Sequence, residues 1–434
     1  MHPRWWTSMA KQLLGPFSEM VTMDRLPERG PLLDERMEVV RDGGLIIEGD
    51  RILDVLDAER FKQVRELAEM KGSPLGHTPI KRRMVLLPGL IDCHTHICFA
   101  GSRAKEYSKR ISGESYLQIS ERGGGIMSTV RATRQATEEE LATTLAERAL
   151  EHLLRGVTTC EVKSGYGLDV ETELKMLRAI RRVNASLDPH PSLVPTCLAA
   201  HVRPPEFRTD QQYLDLIVNK LLPLVKNEGL ASRVDIYIDR GAFPPELADG
   251  YLFLAMKLGF AAVVHADQFV TGGAVIAARV GAVSADHLER STDREFKWLK
   301  ERDVTAVVLP GSSLGLGDPF APARRMLDSG LCMAIASDWN PGTAPMGGLL
   351  TQASILSANQ RLTAAETFAG LTFRAAKALD LGDRGTIRIG QLADLVGFAC
   401  ESYDEILYRQ GALPPALIIK GGKRVMRAPN QAGG

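Results

Sequence analysis

The sequence lacks three features that would direct it to particular classes of protein. Its six cysteines are scattered singly without a Cys-x-x-Cys pair, which excludes a thiolate zinc knuckle and a disulfide framework. Its formal net charge is zero without a long Lys/Arg run, so neither nucleic acid nor an anionic membrane surface is an expected partner. No apolar run approaches the ~20 residues of a membrane span.

What is present indicates a large globular protein. A chain of 434 residues with 44% hydrophobic residues can bury an extensive core. The opening residues, MHPRWWTSMAKQLLGPF, contain no apolar core leading into a small-residue cleavage site, so an ordinary N-terminus is expected. Since unpaired cysteines fit a reducing compartment, we expect a cytoplasmic protein.

The middle of the chain alternates between apolar, strand-like runs and helical patterns. The clearest helical pattern covers residues 137–155, where Thr137 and Glu140 form a capping box and Gly156 ends the helix. Eight alternating strands predict an α/β fold of the (β/α)₈ TIM-barrel type, with its active site at the carboxyl ends of the strands. A doubly wound sheet is the alternative, but no Gly-x-Gly-x-x-Gly follows any run. The runs lie at about 85–93, 157–163, 192–200, 234–239, 261–265, 283–287, 305–310 and 332–337.

Both ends of the chain are rich in short strand patterns. Residues 44–53 predict a hairpin with a Gly-Asp turn. Residues 385–390, 393–398 and 416–425 have a similar pattern. We therefore predict a small β-sandwich-like domain built from residues 1–83 and 385–434, attached to a metal-dependent hydrolase barrel of residues 84–384.

Histidines concentrate where the predicted strands end. His94 and His96 are two residues apart on a strand, so they point to the same side and can bind one metal ion. A barrel brings distant strand ends to one mouth, and imidazoles with a carboxylate suit zinc or ferrous iron. Taken singly, a strand-end histidine such as His201 or His287 is more typical of a hydrogen bond to the backbone than of a metal ligand. Asp338, followed by Trp-Asn-Pro-Gly, also suits a simple turn. The other strand-end candidates are His201, His265, His287 and Asp338.

Short motifs surround these candidates: PGLID before His94-Thr95-His96, FAGSR at 99–103, GGGI at 123–126, TVRATR at 129–134, KSGYGL at 163–168, AAH at 199–201, SADHLE at 284–289 and NPGT at 340–343. Together they resemble the amidohydrolase superfamily and, within it, the imidazolonepropionase family over nearly the full length of the chain. The first motif alone is generic to the superfamily, whereas the whole set is specific.

The resemblance implies one Zn²⁺ or Fe²⁺/Fe³⁺ ion per subunit, held by His94, His96, His265 and Asp338. It implies hydrolysis of the ring C–N bond of 4-imidazolone-5-propanoate by a metal-activated water, which yields N-formimino-L-glutamate in histidine degradation. A small-molecule substrate and a homodimer are also implied. The implied substrate-binding residues are Arg103, Tyr116, Tyr166, His201, Gln268, Asn340, Gly342 and Thr343.

Three residues suit catalytic roles in that reaction. His287 can steady a developing oxyanion, and Asp338 can carry a proton to the leaving ring nitrogen. Gln268 stands where many amidohydrolases have a glutamate that shuttles protons, and an amide can orient a ligand but cannot act as a base. The guanidinium of Arg103 can pair with the propanoate, although on its own it would equally suit a surface ion pair, as Tyr166 would suit plain packing.

Two further departures from the family pattern concern substrate identity. Residues 311–317 are glycine-rich without an aromatic pair, which predicts a mobile loop over the mouth. The fourth strand ends at Asp239 where a Cys-Glu-like ending is expected. These departures keep two alternatives open: the same scaffold acting as hydrolase, deaminase or desulfhydrase on another five-membered cyclic amide, amidine or thio-ring with a propanoate arm, or an inactive metal-binding barrel. Lys163 is expected to pair with Glu161 or Glu173 rather than to form a carbamate.

Overall fold

The computed structural model describes residues 11–70, 73–114 and 124–425. Tyr116, Gly123 and the first ten residues lie outside this range. The strands are β1 Lys11–Gly15, β2 Glu19–Val21, β3 Val39–Arg41, β4 Gly44–Glu48, β5 Arg51–Leu56, β6 Leu75–Pro79, β7 Val85–Pro88, β8 Leu90–Asp92, β9 Val157–Lys163, β10 Ser192–Ala200, β11 Arg233–Ile238, β12 Ala261–Ala266, β13 Ser284–His287, β14 Thr305–Val308, β15 Met333–Ile335, β16 Leu395–Phe398, β17 Pro415–Lys420 and β18 Lys423–Arg424.

Helices occupy most of the connections between these strands. The α-helices are Ala58–Ala68, Ala104–Ile111, Ile126–Gln135, Glu138–Leu154, Val170–Asn184, Asp210–Leu216, Leu222–Asn227, Pro245–Lys257, Gly273–Val280, Asp293–Glu301, Pro310–Leu316, Ala323–Asp328, Leu349–Gln360, Ala364–Leu371, Phe373–Ala378 and Asp404–Tyr408, with a π-helical turn at Ile217–Leu221 and a 3₁₀ turn at Asp34–Arg36. None of the described helices is long and apolar enough to cross a membrane.

Strands β8 to β15 form one parallel sheet in sequence order, which confirms the predicted barrel. The sheet closes just beyond the ends of its first and last strands. There the backbone N–H of Asp338 donates to the carbonyl of His94 at 3.1 Å, and the N–H of His96 donates to the carbonyl of Trp339 at 2.9 Å. The closing seam therefore lies at the residues predicted to bind metal.

The prediction of a single strand over 85–93 is wrong, because the run is two strands that belong to different sheets. β7 pairs with β16 and β2 in a sheet built from the chain ends, whereas β8 pairs with β9 in the barrel. Pro88 lacks an N–H for the ladder, and a Cβ on Gly89 would lie 2.2 Å from Thr158 Oγ1. The chain thus crosses between sheets where only glycine fits. The predicted domain division stays a prediction.

The ends of the chain form two sheets, with strand orders β5-β4-β1-β6 and β18-β17-β16-β7-β2-β3. The predicted hairpin is confirmed as the antiparallel pair β4–β5. The strand-like pattern at 385–390 is wrong, because Gly385 and Gly390 take φ values of +90° and +86° and turn the chain. Apolar side chains from both sheets share a core that includes Leu14, Phe17, Met20, Leu45, Ile47, Leu86, Leu395 and Ile419.

The predicted capping box is confirmed at the helix Glu138–Leu154. Thr137 accepts a hydrogen bond from Glu140 N at 3.2 Å, and the carboxylate of Glu140 accepts one from Thr137 N at 2.8 Å. Each bond satisfies a backbone donor that the first helical turn leaves unpaired. The helix packs one apolar face on the barrel and ends before Gly156, whose φ of +91° suits a helix stop.

Candidate metal centre and active site

Three predicted imidazoles meet at the mouth of the barrel. The Nε2 atoms of His94 and His96 are 3.2 Å apart, and those of His96 and His265 are 3.3 Å apart. Asp338 Oδ1 lies 3.6 Å from His94 Nε2 and 3.5 Å from His96 Nε2. All four side chains are buried. β8, β12 and β15 thus bring the four predicted metal ligands to one point.

These donors fit a metal ion. A tetrahedral ion with bonds of about 2.1 Å separates its ligand atoms by about 3.4 Å, and the separations observed here are 3.2–3.6 Å. Burial lowers the pKa of His94 and His96 well below the ordinary value and that of His265 to about 4. The imidazoles are therefore neutral at physiological pH, with lone pairs available to a metal.

Two aspartates orient the imidazoles from behind. His94 Nδ1 donates to Asp286 Oδ2 at 2.6 Å, and His265 Nδ1 lies 2.9 Å from Asp235 Oδ2. When a carboxylate holds Nδ1–H, the Nε2 lone pair points away from it, here into the cluster. Asp286 and Asp235 are fully buried and were not among the predicted site residues. Their signal in the sequence was an aspartate inside a predicted strand.

Lys163 balances the charge of these carboxylates. Its Nζ lies 2.8 Å from Glu161, 2.7 Å from Asp235 and 3.7 Å from Asp286, and it has no solvent exposure. Burial disfavours its charge, but the three carboxylates outweigh burial and raise the pKa of Lys163. The ammonium is thus held charged at the base of the site, and the expected pairing with Glu161 is confirmed.

Glu173 has a different role and shapes the loop that carries Tyr166. Its carboxylate accepts hydrogen bonds from the backbone N–H groups of Gly165, Gly167 and Leu168 at 3.0, 2.7 and 2.9 Å. Gly165 has a φ of +106°, and a Cβ there would lie 2.8 Å from a backbone carbonyl. These contacts place the Tyr166 ring 6.0 Å from that of His96.

His201 and His287 lie beside the cluster, and their pKa values are shifted in opposite directions. The His201 ring stacks on His96 with centroids 5.4 Å apart, and its Nδ1 donates to the carbonyl of Gly165 at 3.0 Å. Burial lowers the pKa of His201 to about 3, so it is neutral. The His287 ring lies 5.8 Å from that of His94. Burial opposes its protonation too, but nearby carboxylates, above all Glu289, raise the pKa of His287.

The predicted residues after Asp338 form a tight turn. Asn340 Oδ1 accepts from the N–H groups of Gly342 and Thr343 at 2.7 and 2.8 Å, and Asn340 Nδ2 donates to the carbonyl of Asp338 at 2.6 Å. A Cβ on Gly342 would lie 2.3 Å from Arg103 Nη1. The turn therefore brings the Arg103 guanidinium against the loop, where Arg103 Nε also donates to Glu106 at 2.8 Å.

The prediction of a mobile loop at 311–317 is wrong, because Pro310–Leu316 is a helix. Its glycines serve close packing. A Cβ on Gly315 would lie 1.6 Å from the carbonyl oxygen of Thr343, and one on Gly311 would lie 2.4 Å from that of Ser337. Arg110 donates to the carbonyls of both Gly315 and Gly342. Glycine thus allows the helix to lie directly on the chain before and after Asp338.

Gln268 is held between two hydroxyl groups that the sequence pattern did not single out. Tyr237 Oη donates to Gln268 Oε1 at 2.8 Å, and Gln268 Nε2 donates to Ser312 Oγ at 3.1 Å. Asp235 and Tyr237 are two residues apart on β11, the fourth barrel strand, and this period of two was the available signal that they share a face. Tyr116, also predicted to contact substrate, lies outside the described residues.

Comparison with known sequences shows the family. The model of the amidohydrolase family matches residues 85–425. An imidazolonepropionase from Myxococcus xanthus is 43% identical over 343 residues, covering 78% of this chain and 81% of the relative. One from Pseudomonas aeruginosa is 44% identical, covering 79% and 86%. One from Symbiobacterium thermophilum is 38% identical, covering 94% and 95%.

Comparison with solved structures shows the same fold at low sequence identity. A Xaa-Pro dipeptidase with bound methionine has a TM-score of 0.68 at 16% identity, covering 96% of this chain and 99% of that one. A guanine deaminase from C. acetobutylicum with bound guanine has a TM-score of 0.68 at 14% identity, covering 96% and 100%. The chain therefore belongs to the amidohydrolase family and, within it, to the imidazolonepropionases.

Proposed function

We propose that the chain hydrolyses the ring C–N bond of 4-imidazolone-5-propanoate and forms N-formimino-L-glutamate. The observation that carries the proposal is the convergence of three neutral imidazoles and the Asp338 carboxylate, in a chain 38% identical to an imidazolonepropionase over 94% of its length. The relatives are named for this activity, and the histidine-degradation pathway follows from the substrate. The metal-dependent chemistry of the family needs such a donor set.

We infer that His94, His96, His265 and Asp338 would hold one Zn²⁺ or Fe ion per subunit, since both metals accept nitrogen and oxygen ligands. Such an ion supplies Lewis acidity and lowers the pKa of a bound water. The protein supports this by keeping the imidazoles neutral and by directing the Nδ1 atoms of His94 and His265 to Asp286 and Asp235.

Asp338 is the proton carrier in this proposal. Burial raises the pKa of its carboxyl to about 6, against the lowering effect of nearby His287. Once it is released or loosened from the ion, a buried carboxyl of this kind can both take and release a proton. Asp338 takes a proton from the attacking water and delivers it to the ring nitrogen as the C–N bond breaks.

His287 and Arg103 handle the negative charges of the substrate. Because carboxylates raise the pKa of His287, an imidazolium is available to donate a hydrogen bond to the oxyanion that forms at the attacked carbon. Arg103 lies at the turn after Asp338 and offers a planar guanidinium to the propanoate. We assign substrate binding also to His201, Asn340, Gly342, Thr343 and Tyr166, as the family resemblance implies.

A homodimer in the cytoplasm completes the proposal. The helix Pro245–Lys257 exposes Phe253, Leu254 and Met256, with exposed fractions of 56, 45 and 38%, and apolar patches of this kind are typical of subunit interfaces. All six cysteines are free thiols and buried, which suits a reducing compartment. Sedimentation of the wild type and of Phe253→Glu tests the dimer, since the charge would shift the variant to a monomer.

Single-turnover hydrolysis of freshly made 4-imidazolone-5-propanoate tests the reaction. We expect turnover by the wild type with about one metal per chain, and its loss in Asp338→Asn and in Arg103→Met. Arg103→Met should retain its metal, because Arg103 is not a ligand, and so isolates substrate binding. Absence of wild-type turnover despite a full metal site would reject this substrate. The alternatives would then be another propanoate-bearing ring or an inactive barrel.

A further inference from the structure

A chain of hydrogen bonds crosses the mouth of the barrel beside the metal-binding cluster. It runs from the hydroxyl of Tyr237 on β11 through the carboxamide of Gln268, after β12, to the hydroxyl of Ser312 after β14. The two bonds are 2.8 and 3.1 Å long, within the normal range for strong side-chain hydrogen bonds. One residue on β11 and one after β14 thus fix an amide that is carried by the segment after β12.

The Tyr237 ring lies among the histidines of the site. Its centroid is 5.7 Å from that of His265, 6.1 Å from that of His201 and 6.5 Å from that of His287. The Cα partner of Tyr237 in the neighbouring strand is His265. The hydroxyl that holds Gln268 therefore belongs to the wall of the reaction space.

Ser312 is an equally fixed support. Its side chain is fully buried on the helix Pro310–Leu316. A Cβ on the preceding Gly311 would lie 2.4 Å from the Ser337 carbonyl and 2.7 Å from Gln352 Nε2. The helix therefore has no room to move toward Asp338 without a collision, and Ser312 keeps a constant position relative to that carboxylate.

The two hydroxyls leave some hydrogen-bonding positions of the Gln268 amide available to a ligand. A carboxamide has two N–H donors and two oxygen lone pairs. Tyr237 takes one lone pair and Ser312 takes one N–H, so one acceptor and one donor of Gln268 are left for a ligand, in an orientation that the two hydroxyls determine. Because Gln268 is neutral, the group that it suits is an uncharged ring edge rather than the propanoate.

We propose that Tyr237 and Ser312 are positioning residues that set substrate specificity by holding the Gln268 carboxamide toward one edge of the substrate ring, where it can accept from a ring N–H or donate to the imine nitrogen. The inference rests on the proposed function, because that substrate carries both groups in one uncharged ring. A glutamate at position 268 would lose the donor to Ser312 when ionised. The side chain of Gln268 thus needs both hydroxyls to be held in a single orientation.

The test combines steady-state kinetics with calorimetric binding of imidazole-4-propanoate, which has the ring and the arm but no scissile amide bond. For Tyr237→Phe we expect KM and the analogue Kd to rise roughly 3-fold to 10-fold, the effect of one lost neutral hydrogen bond. The value of kcat and its pH profile should change little, because Gln268 does not titrate. Ser312→Ala should act in the same direction. Metal content is counted in every sample.

Two comparisons separate positioning from a general structural effect. Tyr251→Phe is the matched control, since Tyr251 is buried and its hydroxyl has no hydrogen-bond partner within the described part of the chain. It should leave KM and Kd unchanged. In a Gln268→Ala background, Tyr237→Phe should have no further effect on Kd, because a positioning residue acts only through its partner.

The outcomes distinguish the inference from the proposed function. An unchanged KM and Kd in Tyr237→Phe, or an equal rise in both backgrounds, would overturn the inference while leaving the reaction intact. If the wild type does not turn over the imidazolone but binds the analogue with the expected dependence on Tyr237, the inference stands and the reaction is rejected. If the wild type neither turns over the imidazolone nor binds the analogue, both are rejected.

Discussion

Asp286 Oδ2 lies 2.6 Å from Nδ1 of His94, and both side chains are fully buried. The strand that supplies Asp286 also supplies His287, whose ring lies 5.8 Å from that of His94 at the mouth of the barrel. One four-residue strand thus orients an imidazole of the metal-binding cluster and carries a candidate oxyanion donor. The orientation of His94 in the candidate metal centre therefore depends on a contact with β13.

Loss of the Asp286 carboxylate should weaken metal binding. In Asp286→Asn the amide no longer accepts strongly from Nδ1–H, so the Nε2 lone pair of His94 is less basic and less well oriented. We expect about 10-fold to 100-fold lower metal affinity, measured by competition with a chelator. Asp249→Asn, which removes a surface ion pair with Arg279, is the control and should bind metal normally. Equal affinity in the two variants would contradict this role.

Replacing Lys163 by Met should destabilise the protein strongly. The substitution leaves Glu161, Asp235 and Asp286 buried near one another without their cation. We expect a loss of about 3–5 kcal/mol in the free energy of unfolding, measured by urea denaturation at neutral pH. Lys297→Met, on an exposed face, should cost under about 1 kcal/mol. If Lys163→Met lost as little free energy of unfolding as Lys297→Met, the carboxylates around Lys163 would be neutral.

The stability of the metal-free protein should depend on pH through Asp338. Its folded pKa of about 6 exceeds the ordinary 3.8, so the stabilising contribution of this group is complete below pH 3.8 and is lost as the pH rises through 6. Between pH 5 and 7 metal-free wild type should lose stability relative to Asp338→Asn. Metal affinity should rise over the same interval, because the ligand is the carboxylate. If the free energies of unfolding of the two proteins changed in parallel with pH, the raised pKa of Asp338 would be contradicted.

Gly315→Ala should disturb the substrate loop. The added Cβ would meet the carbonyl oxygen of Thr343 at 1.6 Å, so the helix Pro310–Leu316 must shift away from residues 340–343. We expect a loss of about 1–3 kcal/mol in stability and a higher KM. Gly250→Ala is the control, because it lies in a helix with open space around its Cα and should be neutral or stabilising by about 0.5–1 kcal/mol. Equal behaviour of the two variants would refute the close contact.

Much of the site could be predicted from local sequence because strand geometry is local. Residues two apart on a strand share a face, so His94 and His96 were predicted to act together before any partner was known. The ends of parallel strands meet at one rim, which added His201, His265, His287 and Asp338 as candidates. The family resemblance then singled out His265 and Asp338 as ligands. The capping box of Thr137 and Glu140 likewise depends on residues three apart.

Tertiary structure decided what depends on contacts between distant segments. The run at 85–93 became two strands because β7 found partners at both chain ends, and apolar composition alone does not choose between sheets. The glycines at 311 and 315 indicate mobility in sequence but allow close packing once Ser337 and Thr343 approach.

The buried polar and charged side chains of the barrel show most clearly what the sequence determines and what the tertiary structure decides. The sequence by itself determined the barrel, its mouth and the strand-end residues that are candidates for metal binding, since these follow from periodicity along each strand. Only closure of the barrel placed Lys163 beside Asp235 and Asp286, Asp286 behind His94, and Tyr237 and Ser312 around Gln268. Each such partner lies far along the chain, and its distance is set by strand register rather than by local pattern.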